Sequence, residues 1–253
     1  PSNFSLYSRL LRRLNHYNNI INSTKIIVSS NSVRGDLKKI SLRGYKKSVV
    51  IKHVNYVIPK KNIKSINYLK KKYNIEKKFY LVPNHYWVHK NHIVLLNALK
   101  FLKKKNFIIV STGRCYDHRY PKYFDNFKNQ INKLKLEKYY RILGIVPFDD
   151  LCSLIYNSLG VINPSMSEGF PNSAEQATLL GKNAILSNIN VHLEERKKNY
   201  FFFKYNDYKK LAHLLNNKVK SSNINKNYEK NYLFKQKKFI KKFENFILNN
   251  INK

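Results

Sequence analysis

Acid is what the chain most lacks: 14 Asp and Glu stand against 49 Lys and Arg in 253 residues, a formal charge of +35. Small residues are nearly as scarce, with 7 glycines and 5 alanines against 35 asparagines. The cations divide into 40 lysines and 9 arginines, whereas nucleic-acid readers lean on the bidentate fork of arginine. Lys, Asn, Ile, Tyr and Phe share A/T-rich codons, so the basicity fits a nucleotide bias and is weak evidence for a partner. Cysteine is limited to Cys115 and Cys152, with no CxxC and no companion histidine cluster. That disfavours a disulfide framework or a zinc site and fits a reducing cytosol. No apolar run approaches the roughly 20 residues of a membrane span, and no leader-like h-region opens the chain. A cytoplasmic protein is expected, with the inner face of the cytoplasmic membrane as an optional location. The only methionine is Met166 and the first residue is Pro1, from which a longer polypeptide with an upstream part is expected.

The 43% hydrophobic content suffices for a core. From Thr24 onward short β-rich apolar runs alternate with amphipathic segments, the pattern of βα units building a parallel sheet. Strands are predicted at Lys25–Val28, Ser48–Lys52, Phe79–Val82, Phe107–Ser111, Tyr139–Leu143, Gly160–Asn163, Asn183–Ser187 and Tyr200–Phe203. Between them Tyr120, Tyr123, Phe124, Phe127, Ile131 and Leu134 recur at helical spacing and predict a helix covering the sheet. Residues 61–78 are rich in Lys and Asn with few apolar positions, which predicts a linker there. The expected division is a remnant domain over 1–60, the linker, a Rossmann-like α/β domain over 79–220 and a C-terminal helix over 221–253. Apolar stripes with basic flanks mark both termini: Leu6, Leu10, Leu14 and Tyr17, then Phe239, Ile240, Phe243, Phe246, Ile247 and Ile251. Packing on a domain is the favoured reading of both, ahead of contact with anionic membrane.

Between Ile142 and Glu195 the charge reverses. Lys182 is the only cation there, against Asp149, Asp150, Glu168, Glu175, Glu194 and Glu195. Gly113, Gly144, Gly160, Gly169 and Gly181 lie in or just before this island, near predicted strand ends. The run Pro164 to Ala177 leaves a strand, delivers Glu168 beside Gly169 and opens a helix stopped by Gly181. At the carboxyl end of a parallel strand Glu168 can accept from sugar hydroxyls, and amides around Asn172 and Ser173 can meet phosphate. A plain turn followed by a helix start explains Glu175 equally well. His85, His89 and His92 surround Lys90, but Pro83 and the absence of a nearby carboxylate favour phosphate or base contacts over a metal. Asp149-Asp150 reads as a helix N-cap, and Asp117-His118-Arg119 as a surface-loop ion pair or a ligand contact.

These residues, in this order, resemble the C-terminal half of the GT-B glycosyltransferases, the retaining nucleotide-sugar enzymes of family four, group 1. The resemblance runs from about Phe79 to about Asp207. It is carried by Phe79 to His92, Ser111-Thr112-Gly113, Leu143 to Pro147, Asp149-Asp150-Leu151, Pro164 to Ala177, and Gly181-Lys182 before Ala184-Ile185-Leu186-Ser187.

The resemblance implies a glycosyltransferase that takes sugar from a nucleoside-diphosphate donor, with retention and without metal or other cofactor. Its expected acceptor is a glycan or a lipid-linked oligosaccharide. Glu168 matches the glutamate on the donor sugar and is the implied catalytic residue. Lys90 matches the diphosphate lysine; its usual arginine partner is replaced by Asn84 or His85. Gly169 and Phe170 would offer backbone amides, and Gly113, Asn172 and Ser173 would lie on the donor. The ribose glutamate is Gln176 here, with Glu175 shifted by one place. The alternatives are a nucleotide-sugar epimerase on the same fold, or a non-enzymatic basic module for RNA or membrane. No specific nucleic-acid partner is expected.

Overall fold

The computed structural model describes residues 6–217 and 228–251. The chain divides into two compact units, one of residues 1–54 with 234–253 and one of residues 55–233. The expected linker over 61–78 is therefore interior to the second unit. It carries helix α4 (Ile66–Tyr73), whose Leu69 is fully buried, and the boundary falls at Val54/Asn55 instead. Its many lysines are exposed on that helix, which hid a single buried anchor behind a polar composition.

The first unit contains α1 (Leu6–Asn22), β1 (Ile26–Val28), α2 (Asn31–Ile40), α3 (Leu42–Lys47) and β2 (Ser48–Val50). β1 and β2 pair in parallel, with Ile27 opposite Val49. Ser30 and Ser41 cap α2 and α3 by accepting from Val33 N and Gly44 N, which starts each helix with one orphan amide satisfied. Lys47 Nζ donates to Ile20 O and Ile21 O at the carboxyl end of α1, where a cation suits the exposed carbonyls. Ile20 is the one buried residue of α1. Leu6, Leu10, Leu14 and Tyr17, expected to pack, are exposed.

The second unit is a six-stranded, all-parallel sheet. Its strands are β3 (Phe79–Pro83), β4 (Ile108–Thr112), β5 (Tyr140–Ile142), β6 (Val161–Asn163), β7 (Ala184–Ser187) and β8 (Tyr200–Phe203), ordered β5-β4-β3-β6-β7-β8. All eight strands predicted for the chain are present, with some ends moved by a residue or two: most are trimmed, while β3 runs on to Pro83 and β4 to Thr112. Helices α5 (Ile93–Phe101), α6 (Tyr123–Lys133), α7 (Phe148–Asn157), α8 (Asn172–Leu179), α9 (Asn190–Glu194) and α10 (Tyr208–Asn216) alternate with the strands. A sheet covered on both faces needs strands apolar on both sides, and Leu81, Val82, Ile109, Val110, Ile162, Ile185 and Leu186 are all fully buried. The predicted stripe on α6 delivers Phe127 and Ile131 to that core.

Helix α11 (Tyr228–Ile251) has its first residues in the second unit and the rest, from Phe234, in the first. In the second unit Tyr228 is buried and its hydroxyl donates to Ile58 O at 2.9 Å. In the first, Phe239 and Phe243 stack and line a cavity with Ile27, Val28, Val33 and Ile51. Among the described residues no helix is long and apolar enough to cross a membrane.

Candidate functional site

The strand order reverses direction between β3 and β6. Chain succession runs outward through β4 and β5 on one side and through β7 and β8 on the other. β3 and β6 are neighbours at this switch point, the place where open α/β sheets take ligands at the carboxyl ends of their strands. Lys90 follows β3 and Glu168 follows β6, so the topology brings both to this point from positions 78 apart.

Lys90 ends a single 3-10 turn (Val88–Lys90) closed by Asn91 in the left-handed region at φ 55°. Asparagine tolerates that backbone, and its side chain turns back to donate to Pro164 O at 3.1 Å and Tyr205 O at 2.7 Å. Met166 N donates to His89 O at 2.8 Å. The turn bearing Lys90 is thus tied, on both sides of Lys90, to the start of the loop bearing Glu168. From below, Asp117 grips Arg119 through two bonds of 2.7 and 2.9 Å and accepts from Val88 N, while Arg119 lies 5.5 Å from the Trp87 ring centre. The Asp117 carboxyl is fully buried, so this is a brace under the turn and not the surface pair expected.

Lys90 Nζ and Glu168 Oε1 are 3.0 Å apart, with side chains 15% and 7% exposed. Burial pushes the Glu168 carboxyl up, but the Lys90 charge and hydrogen bonds outweigh it and hold the group below the ordinary carboxylate range. A second donor is Asn163 at the end of β6, whose Nδ2 reaches Glu168 Oε1 at 2.8 Å and Ser173 Oγ at 3.1 Å. Asn163 Oδ1 accepts from Asn84 Nδ2 at 3.1 Å and from Ser165 Oγ at 2.7 Å. Asn163 is fully buried with its amide hydrogens and its oxygen all engaged, which fixes its orientation.

Sequence reasoning missed Asn163, Ser165 and Ser187, and it placed Asn84 only at the position of the arginine partner. The available signal was a single polar residue closing each apolar strand run: Asn84 just after β3, Asn163 ending β6 and Ser187 ending β7.

Gly113, just past β4, has φ +126°, and a Cβ there would fall 2.7 Å from Asn84 O and 2.8 Å from His85 N. Its absence of side chain lets the ends of β3 and β4 meet. His85 accepts from Arg114 N on Nδ1 at 2.8 Å, with its ring exposed at the same edge. His92, grouped with it by spacing, belongs to the core. It is fully buried, stacks on Tyr86 at 4.2 Å, donates to His85 O and accepts from the Tyr140 hydroxyl.

Helix α8 begins at Asn172, as predicted. The Asn172 amide already donates to Phe170 O at 3.0 Å, so of the two amides expected to meet phosphate it is engaged locally. Ser173 is buried on Asn163, and Phe170 is buried beside Gly169. Glu175 stands apart from this group. Its Oε2 accepts from Asn55 N at 3.1 Å and Asn55 Nδ2 at 2.6 Å, holding the segment that enters the unit. Gln176 Nε2 lies 3.4 Å from Tyr56 O on the same segment. Asp150, expected as a cap, is buried within α7 and pairs with Lys72 at 2.6 Å, because Pro147 occupies the cap position.

The profile of the family described as glycosyl transferases group 1 matches residues 65–233. The chain belongs to this family. Its second unit has the fold of the C-terminal Rossmann-like domain of GT-B glycosyltransferases. Similar solved structures include Anabaena Alr3699/HepE in complex with UDP and glucose, with TM-score 0.76 and 16% identity over 92% of this chain and 66% of that one. A glycosyltransferase from Rickettsia africae ESF-5 gives 0.62 and 23% over 86% and 64%. The sucrose-phosphate synthase of Thermosynechococcus elongatus gives 0.71 and 15% over 88% and 57%. At these identities the likeness is one of fold, and the chain spans at most about two thirds of the length of these structures. No curated protein matches the chain.

Proposed function

We propose that the chain binds a nucleoside-diphosphate sugar and serves as the donor side of a retaining hexosyltransferase acting on a glycan or lipid-linked acceptor. The observation that carries this is the buried Lys90–Glu168 pair at the point where the strand order reverses. A cation and a carboxylate side by side at that place suit the two ends of such a donor. Lys90 stabilises the diphosphate, whose negative charge grows as the glycosidic bond breaks. Glu168 accepts from sugar hydroxyls, with its orientation set by Asn163. The cation answering the diphosphate is the chain's own lysine, and the reading includes no metal or other cofactor. Family membership and structural neighbours crystallised with UDP, UDP-glucose or UDP with glucose support it. Gln176 takes the ribose position by its place on α8, whereas Glu175 is a structural residue holding Asn55.

Calorimetry with UDP tests the reading. Saturable binding is expected, and Lys90→Ala should weaken it by about 1.5–3 kcal/mol, roughly tenfold to a hundredfold. Unchanged binding by the variant removes Lys90 from the site, and absence of binding by the parent chain overturns the donor reading.

A further inference from the structure

His192 lies on α9 just past the end of β7 and is fully buried. Its Nδ1 is 2.8 Å from Ser187 O and 3.2 Å from Ser187 Oγ. A carbonyl oxygen only accepts, so Nδ1 carries the ring proton and the neutral ring presents a bare lone pair on Nε2. That Nε2 is buried and has no hydrogen-bond partner among the described residues. Buried polar atoms left unmatched are rare and call for a physical reason.

The ring is wired to the site. Ser187 Oγ donates to Ser165 O, Ser165 Oγ donates to Asn163 Oδ1, and Asn163 Nδ2 donates to Glu168 Oε1. The charges facing the ring from other elements are Glu168, on the loop after β6, and Lys90, on the turn after β3; they act on it in opposite directions. On its own helix and just beyond it stand Glu194 and Glu195. Burial is the largest influence and keeps the imidazole neutral; Glu168 comes next and opposes it, the bond to Ser187 O opposes it further, and Lys90 adds last to the effect of burial.

We propose that His192 is a positioning residue that takes up a proton on Nε2 when a diphosphate engages Lys90, so that an imidazolium replaces the lysine as the cation holding Glu168. The proton comes from solvent and no other bond changes. A diphosphate neutralises Lys90 as seen from the ring and so removes the one cation that offsets Glu168 at an acceptor that lacks a partner among the described residues. Glu168 thereby stays ionised and oriented towards the sugar while Lys90 serves the leaving group. This rests on the donor reading of the site.

The test is UDP binding near pH 7 in two buffers of different ionisation enthalpy, with the parent chain and with His192→Asn, which keeps a donor towards Ser187 O and deletes Nε2. The parent is expected to take up as much as about one proton more per UDP than the variant. In ¹⁵N spectra of the parent chain alone, the His192 Nε2 resonance should move on UDP addition from the unprotonated to the protonated range, a readout that needs no variant to fold. UDP binding with an unprotonated Nε2, or with equal proton counts in parent and variant, overturns this proposal and leaves the donor site standing. If UDP does not bind the parent at all, the donor reading itself fails and this one with it.

Discussion

His92 shows how one residue type serves opposite ends in this site. It sits two positions beyond Lys90, yet both ring nitrogens are spent inside the unit, on His85 O and the Tyr140 hydroxyl, and burial pushes its pKa down to about 4. In the unfolded chain the ring has its ordinary value near 6.5. The unfolded state therefore binds the proton first as pH falls, so stability is full above about 6.5 and is lost progressively towards about 4. Between pH 7 and pH 5 this one group should cost about 2 kcal/mol. Urea titrations at both pH values should show His92→Gln less stable than the parent at pH 7 but losing about 2 kcal/mol less on acidification. An equal acid loss in both proteins would mean that His92 is not buried as a neutral ring. His192 shares the depressed basicity and the buried ring, but differs in having a nitrogen without a partner. No sequence spacing distinguishes the two, since the difference lies in what other strands bring to each ring.

At the scale of elements, the strands were legible because each is a short β-rich run, and the central ones, β3, β4, β6 and β7, are buried on both faces, as in Phe79-Tyr80-Leu81-Val82 and Ala184-Ile185-Leu186. The segment 61–78 was not legible, because its short helix is lysine-rich and its apolar face is only Ile66, Leu69 and Tyr73, with Lys72 paired to Asp150. Within the site, Lys90 and Glu168 stood out by motif, whereas their supports did not. Asn84 meets Asn163 across 79 positions and Glu175 meets Asn55 across 120, and only the fold makes such pairs neighbours. The loop ends depend on that fold at Gly113, where φ is +126° and Asn84 O lies 2.7 Å from any Cβ. Gly113→Ala should therefore cost about 1–3 kcal/mol of stability through strain alone. It should also loosen Asn84 from Asn163 and so weaken UDP binding, because the backbone of β3 must move aside. Denaturant titration and calorimetry on the same variant check both parts. A loss of stability with unchanged UDP affinity would separate Gly113 from the donor site and leave it a purely structural glycine.

On the scale of the whole molecule, +35 spread over 253 residues creates a field that favours any polyanion, while the residues that meet the donor are few and largely buried. Two salt dependences should follow. Adhesion to RNA or to anionic vesicles, driven by many exposed lysines, releases many counterions and should collapse between low and high salt, with a steep slope of log K against log salt. In the proposed site UDP would meet essentially one cation, Lys90, which is 15% exposed and packed against Glu168. Its affinity should fall with a slope no steeper than about −1 to −2, since short-range contacts in a buried site are poorly screened. Only its association rate should share the larger salt sensitivity, because long-range attraction steers the approach of an anion without holding it. Filter binding with RNA, vesicle sedimentation and UDP calorimetry across one salt series compare the three directly. Parallel slopes for UDP and RNA would place both ligands on the same exposed lysines and remove the buried pair from donor binding. RNA binding that resists high salt and depends on sequence would mean that the basic surface is a recognition surface after all, and not the by-product of a lysine-rich composition.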